Sequence, residues 1–181
     1  MPSITRTVVV GLVLAIVTPP VSAQEIAWTD IRTLGVEGRG FEKTKSYFDR
    51  LPATAEKLVR GPVWALSQDS AGMCVRFVTA STTLHARWTL RRSRLALPHM
   101  PATGVSGVDL YVRDSKARWR WLACGFPRKT PTNSVRLVTG IPEGRREYML
   151  YLPLYNGVTS VEIGVPEGTS ISKAPARPES H

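Results

Sequence analysis

Leu84-His85-Ala86-Arg87-Trp88-Thr89-Leu90 is the stretch on which the fold turns. Successive side chains of a strand point to opposite faces, so Leu84, Ala86, Trp88 and Leu90 fall on one side and His85, Arg87 and Thr89 on the other. A helix would scatter the same residues around its circumference. The segment therefore predicts a strand with one face in a core and the other in solvent.

The same texture continues in both directions. Upstream, Val63-Trp64-Ala65-Leu66-Ser67 is an apolar run, Gln68 to Gly72 is a turn cluster, and Met73 to Thr79 is apolar again, which predicts a hairpin. Downstream, Ser93 to Ser106 carries Pro98 and Pro101 and reads as a long loop, followed by Val108, Leu110 and Val112 alternating with Asp109 and Tyr111. In Ala117 to Cys124, Trp119 and Trp121 share one face and Arg118 and Arg120 the other. Val135 to Thr139, Glu147 to Leu152 and Val158 to Val165 complete the set, the last two joined through a turn at Asn156-Gly157. Only Thr54 to Val59 suggests a helical turn. Short strands separated by Gly, Pro, Asn and Asp, with no long helical period and no internal repeat, predict an all-β domain: an antiparallel two-sheet sandwich, jelly-roll-like.

The two ends read differently. Arg6, the uncharged run Val8 to Val17, Pro19-Pro20 and the small-x-small triplet Val21-Ser22-Ala23 form a signal-peptide pattern, the apolar run being too short to span a bilayer. Cleavage after Ala23 implies export to a periplasmic or extracellular compartment, with no membrane span afterwards. Residues 24–166 are then one β-sandwich domain, and 167–181, polar and proline-bearing, a linker or tail.

The net charge of +10 invites a nucleic-acid partner. The arginines do not form a stripe, however. They stand singly between apolar residues at Arg76, Arg87, Arg118, Arg120 and Arg136, which favours a solvated basic face or attraction to anionic polysaccharide. Cys74 and Cys124 would meet oxidising conditions after export. A disulfide and a pair of free buried thiols both fit the sequence, since each lies in an apolar strand pattern. His85 and His99 have no partners at metal-ligand spacing, so neither a metal nor another cofactor is expected.

Gly107-Val108-Asp109-Leu110-Tyr111 matches the GxDLY signature of a module found N-terminal to SGNH (GDSL-like) hydrolase domains in secreted bacterial esterases. Phe48 to Pro52, Pro62 to Ser67, Gly72 to Phe77, His85 to Trp88 and Leu152 to Gly164 also resemble that family, in the same order. The resemblance implies a β-sandwich that packs beside a catalytic domain and helps shape or bind the substrate, an acylated carbohydrate. It also implies that the hydrolytic residues belong to that other domain, absent here. Gly107, Asp109, Leu110 and Tyr111 are the signature residues. Asp109 shares a strand face with Tyr111, and if that face is buried its carboxylate needs a donor such as Arg87 or a backbone amide. His99, in the preceding loop, is a candidate partner for Asp109 or for a neighbouring domain. Trp119 and Trp121 are candidates for sugar stacking, but paired tryptophans on a strand more often fill a core.

Gly168-Thr169-Ser170-Ile171 follows an apolar strand and superficially resembles a nucleophile block. A serine nucleophile needs a base and oxyanion donors, which in this family lie downstream of it. Ser170 therefore reads as a linker residue, and the chain as a non-catalytic accessory domain of an exported esterase. The alternative readings are a stand-alone carbohydrate-binding module and, after it, a basic adhesion protein.

Overall fold

The computed structural model describes residues 24–177. The expected export signal lies outside them. Ten strands form two antiparallel sheets. The four-stranded sheet has the order β1 (Ile26–Asp30), β9 (Val158–Pro166), β4 (Thr83–Leu90), β7 (Thr132–Thr139). The six-stranded sheet runs β10 (Ile171–Lys173), β3 (Cys74–Thr79), β8 (Arg146–Tyr151), β5 (Val108–Arg113), β6 (Trp119–Gly125), with β2 (Val36–Glu37) also on β3. From β3 onward only β5 and β6 make a hairpin within one sheet; every other connection crosses to the opposite sheet. That winding is the jelly-roll character expected of the sequence.

The alternation in β4 is realised as drawn. Leu84, Ala86, Trp88 and Leu90 are buried, and the residues between them are half-exposed. Val161, Ile163 and Val165 of β9 join them from the same sheet. Val75, Phe77, Tyr148, Leu150, Val108 and Leu110 meet them from the six-stranded sheet. The stacked rings of Phe77 and Tyr148, 5.4 Å apart, fill the middle of this interface.

Three local expectations are corrected. After a first short helix, α1 (Ile31–Leu34), Gly61–Ser67 is a second, α2, and not the first strand of a hairpin. Four apolar residues carry no decisive period, whereas Pro62 in the first turn sits where a helix has no use for an amide hydrogen. The long loop 93–106 ends in another short helix, α3 (Ala102–Ser106), which starts directly after Pro101. The supposed tail re-enters the sheet. Ile171, Ser172 and Lys173 pair with Thr79, Val78 and Phe77, so the ordered fold extends past residue 166. A three-residue edge strand has no period to read, and its pairing comes from the neighbour. The helical turn suggested at 54–59 exists as a 3-10 helix, Ala53–Lys57.

Candidate functional site

The signature begins at a crowded crossing. A Cβ on Gly107 would lie 2.4 Å from the carbonyl oxygen of Thr103 and 2.9 Å from that of Gly125, so only glycine lets α3 run into β5 at this point. The residue before it is locked from two sides. The Ser106 carbonyl accepts from Trp88 Nε1 at 3.0 Å, and its hydroxyl lies 3.0 Å from Asn156 Nδ2, which donates to it. Asn156 is itself fully buried, and its amide also donates to the carbonyls of Arg92 and Arg94 while its oxygen accepts from the Arg92 amide. The turn dipeptide Asn156-Gly157 thus serves as a polar pin beneath the signature. The sequence marked it as a turn and gave no sign of that second task.

With Gly107 fixed, alternation sorts the rest. Val108 and Leu110 enter the core, while Asp109 and Tyr111 point away from it, on the outer face of the six-stranded sheet. Register places three rows on that face. Trp119 lies beside Arg113. Trp121, Tyr111, Met149 and Arg76 form the next row, and Cys124, Asp109, Tyr151 and Cys74 the third. Tyr111 and Tyr151 meet edge to face at 5.7 Å, and Trp121 Nε1 donates to Asp109 Oδ1 at 3.3 Å. Beside them opens a cleft of about 410 Å³ lined by Gly104, Gly107, Asp109, Tyr111, Tyr151 and Leu154, among others.

Several sequence-predicted candidates land on this face and others do not. Trp121 is 60% exposed, so the expectation that it fills the core is wrong. The cause is a bulge in the β5–β6 ladder between Leu110 and Tyr111, which leaves Leu122 unopposed and keeps Trp121 outward with Tyr111. Trp119 is half-buried on the same side. Arg87 does not reach Asp109. It lies on the other sheet, where it grips Glu162 through two hydrogen bonds of 2.6 and 3.0 Å. His99 is exposed in the loop before α3.

The disulfide is excluded by the third row. Cys74 and Cys124 sit three strands apart, roughly 14 Å at ordinary strand spacing, far beyond the reach of a bridge. Both thiols are held in the protonated form. Burial raises Cys74, and burial together with the Asp109 carboxylate pushes Cys124 up to about 11.

At the other end of the face a polar network that the sequence reading missed ties down the last residues. The Arg76 side chain, only 8% exposed, bonds Glu37 at 2.6 Å, Glu147 at 2.5 Å and the Pro175 carbonyl at 2.8 Å. Arg177 also reaches Glu37, and Arg113 completes Glu147. Burial works to raise the Glu37 carboxyl, but the Arg76 and Arg177 guanidiniums outweigh it and hold it below the ordinary value. The only hint in the sequence was a lone arginine in an apolar strand. Ser170 lies exposed between β9 and β10, its carbonyl accepting from the Thr79 hydroxyl. No group of three or more His, Cys, Asp or Glu among the described residues is placed to hold a metal ion. No helix among them is long and apolar enough to cross a membrane.

Fold and signature together define a class: a two-sheet β-sandwich whose sequence motif splits between core and outer surface. Residues 26–171 match the model of GxDLY, the N-terminus of SGNH-hydrolase-type esterases, and the chain belongs to that family. A solved structure of a GDSL-like lipase from Bacteroides ovatus ATCC 8483 is 28% identical with a TM-score of 0.77, over 83% of this chain and 44% of that one. The salicylyl-acyltransferase SsfX3 from a tetracycline biosynthetic pathway shares the fold, at 17% identity and a TM-score of 0.50, over 71% of this chain and 34% of its own. The chain therefore spans less than half the length of either protein. No curated protein matches it.

Proposed function

We propose that this domain is a non-catalytic accessory module of an exported SGNH-type esterase, which presents the outer face of its six-stranded sheet to the catalytic domain and to an acylated carbohydrate substrate. The observation that carries the reading is the split in the signature: Gly107, Val108 and Leu110 build the sandwich, while Asp109 and Tyr111 line an open cleft. Alternation alone turns these two side chains outward; the reading is supported by the cleft they border. The family match supplies the esterase context, and the N-terminal pattern supports export.

A second reading, a carbohydrate-binding module acting by itself, is favoured by Trp121, whose exposed indole offers a flat apolar surface to a sugar ring.

The test is to add the purified chain to an SGNH-type catalytic domain and follow hydrolysis of acetylated xylan and of p-nitrophenyl acetate. The expected result is a higher kcat/KM on the polymer, no change on the small ester, and loss of the gain in Asp109→Ala and Tyr111→Ala. Retention on acetylated xylan with no effect on the esterase would favour the second reading. Ester turnover by the chain alone that disappears in Ser170→Ala would overturn both.

A further inference from the structure

Where the β5–β6 hairpin and the β7–β8 loop come together, the six-stranded sheet ends in a cleft of about 370 Å³ lined by Arg113, Asp114, Ser115, Gly144, Arg145, Arg146 and Glu147. Lys116, Arg118 and Arg120 stand on the same hairpin, so the local cations outnumber the carboxylates of Asp114, Glu143 and Glu147. The carboxylates nearest the cleft are already engaged. Asp114 takes Arg118 and Arg120, and Glu147 takes Arg76 and Arg113. Arg145 and Arg146 differ from the other arginines. Arg145 donates to the Ser172 hydroxyl at 2.8 Å, and Arg146 donates to the carbonyls of Pro142, Glu143 and Gly144. Neither guanidinium meets a carboxylate among the described residues.

We propose that this cleft binds the carboxylate of an acidic sugar, so that the polysaccharide met by the six-stranded sheet carries uronate residues. A planar guanidinium matches a carboxylate in two parallel hydrogen bonds. The Arg146 guanidinium is held at a fixed position by the loop carbonyls, and exposed Arg145 reaches from the same cleft toward Ser172 of β10. Trp119 lies directly across from Arg113 on the same face and Trp121 one row further on, which sets apolar ring surface next to the cationic end. A chain bearing one carboxylate per sugar, with an apolar ring face between charges, suits that alternation.

Nucleic acid suits it less. Phosphate backbones are held by runs of uncompensated cations. Here three carboxylates interrupt the arginines, and Trp119 and Trp121 on the same face offer a sugar ring an apolar surface that a duplex backbone cannot use. The proposal rests on the accessory-module reading only for the class of polymer; the cationic cleft stands on its own geometry.

Affinity electrophoresis of the full chain through gels holding polygalacturonate, acetylated xylan or duplex DNA tests it. Polygalacturonate should retard the protein more than either other polymer, the more so at low salt. Arg145→Glu should weaken that retardation about tenfold, the scale of one charge-assisted pair, while far-UV circular dichroism and Tm stay unchanged. Arg146→Gln, judged against the same folding controls, should weaken it as well. Equal retardation by DNA, or by polygalacturonate in both variants, overturns the proposal. Retardation by acetylated xylan alone overturns it too, while leaving the accessory-module reading intact; no retardation by any polysaccharide removes the carbohydrate from both.

Discussion

The two outer faces of the sandwich are built from the same alternation and end in opposite conditions. On the four-stranded sheet the middle of the face, along β4 and β9, closes on itself. Arg87 pairs with Glu162 and lies 4.3 Å over the Trp28 ring, Thr89 bonds Thr132 and Ser160, and Trp28 lies flat because Gly164 leaves it room, a Cβ there falling 2.9 Å from the indole. On the six-stranded sheet the face carries a buried arginine network at one side, an exposed Trp121 at the other, and clefts beside the signature and at the hairpin. Arg136 and Ser134 stay exposed at the β7 edge of the smaller sheet, so what that face lacks among the described residues is a cleft and an exposed aromatic ring rather than free polar groups. The difference is what the proposed role of the larger sheet rests on.

The sharpest way to break that comparison is to remove matching arginines from each face. Arg76→Ala should cost about 3 kcal/mol, the lower end for a broken buried ion pair, because it leaves Glu37 to Arg177 alone and Glu147 to Arg113 alone and frees the Pro175 carbonyl. Urea melts at neutral pH read the loss directly. A cost near that of an ordinary surface pair would mean that the network holds nothing. Gly107→Ala comes next, at about 1–3 kcal/mol, because the added methyl collides with two carbonyl oxygens that belong to rigid elements. If the variant melts like the parent, the signature glycine is not there for packing.

How much of this was legible in the sequence follows the same division. Alternation is a property of neighbours in the chain, so β4 and β5 could be read as strands, and Trp88 as a core residue of β4, from residues alone. Asp109 and Tyr111 were legible as a shared face, though which side was buried was not. What failed depended on other strands. The bulge that turns Trp121 outward exists only where β6 meets β5, and the spacing of Cys74 from Cys124 depends on strand order. The Arg76 network joins residues brought together by three separate strands and the final segment. Helix α2 was lost because four apolar residues fit either period, and Pro62 was the one signal against a strand.

Arg87→Ala on the smaller sheet sharpens the contrast from the weak side. The pair with Glu162 is bidentate but more than a third of the Arg87 side chain is exposed, so solvent screens it, and the cost should be about 0.2–1 kcal/mol. The ratio between the two arginine variants, measured in the same buffer, is the quantity to compare. If Arg87→Ala proved as damaging as Arg76→Ala, the closed face would be as much a structural keystone as the open one.

The smallest effect concerns the hairpin tip and shows itself in acid. Backbone amides of Arg118 and Lys116 and the guanidiniums of Arg120 and Arg118 all donate to Asp114, holding its carboxyl at about 2 against an ordinary 3.8. Between those values the unfolded chain binds a proton that the folded chain does not. The contribution of Asp114 is therefore complete above about pH 4 and fades as pH falls toward 2. Asp30 and Glu37 are lowered as well, by Arg32 and by the Arg76 network, so acid sensitivity is shared among the three. The informative quantity is the difference in urea midpoint between the parent and Asp114→Asn. It should be constant at pH 5 to 7 and shrink below pH 4. A difference that stays flat down to pH 2 would mean that the tip is not organised by that carboxylate, and that the arginines beside it owe their positions to something else.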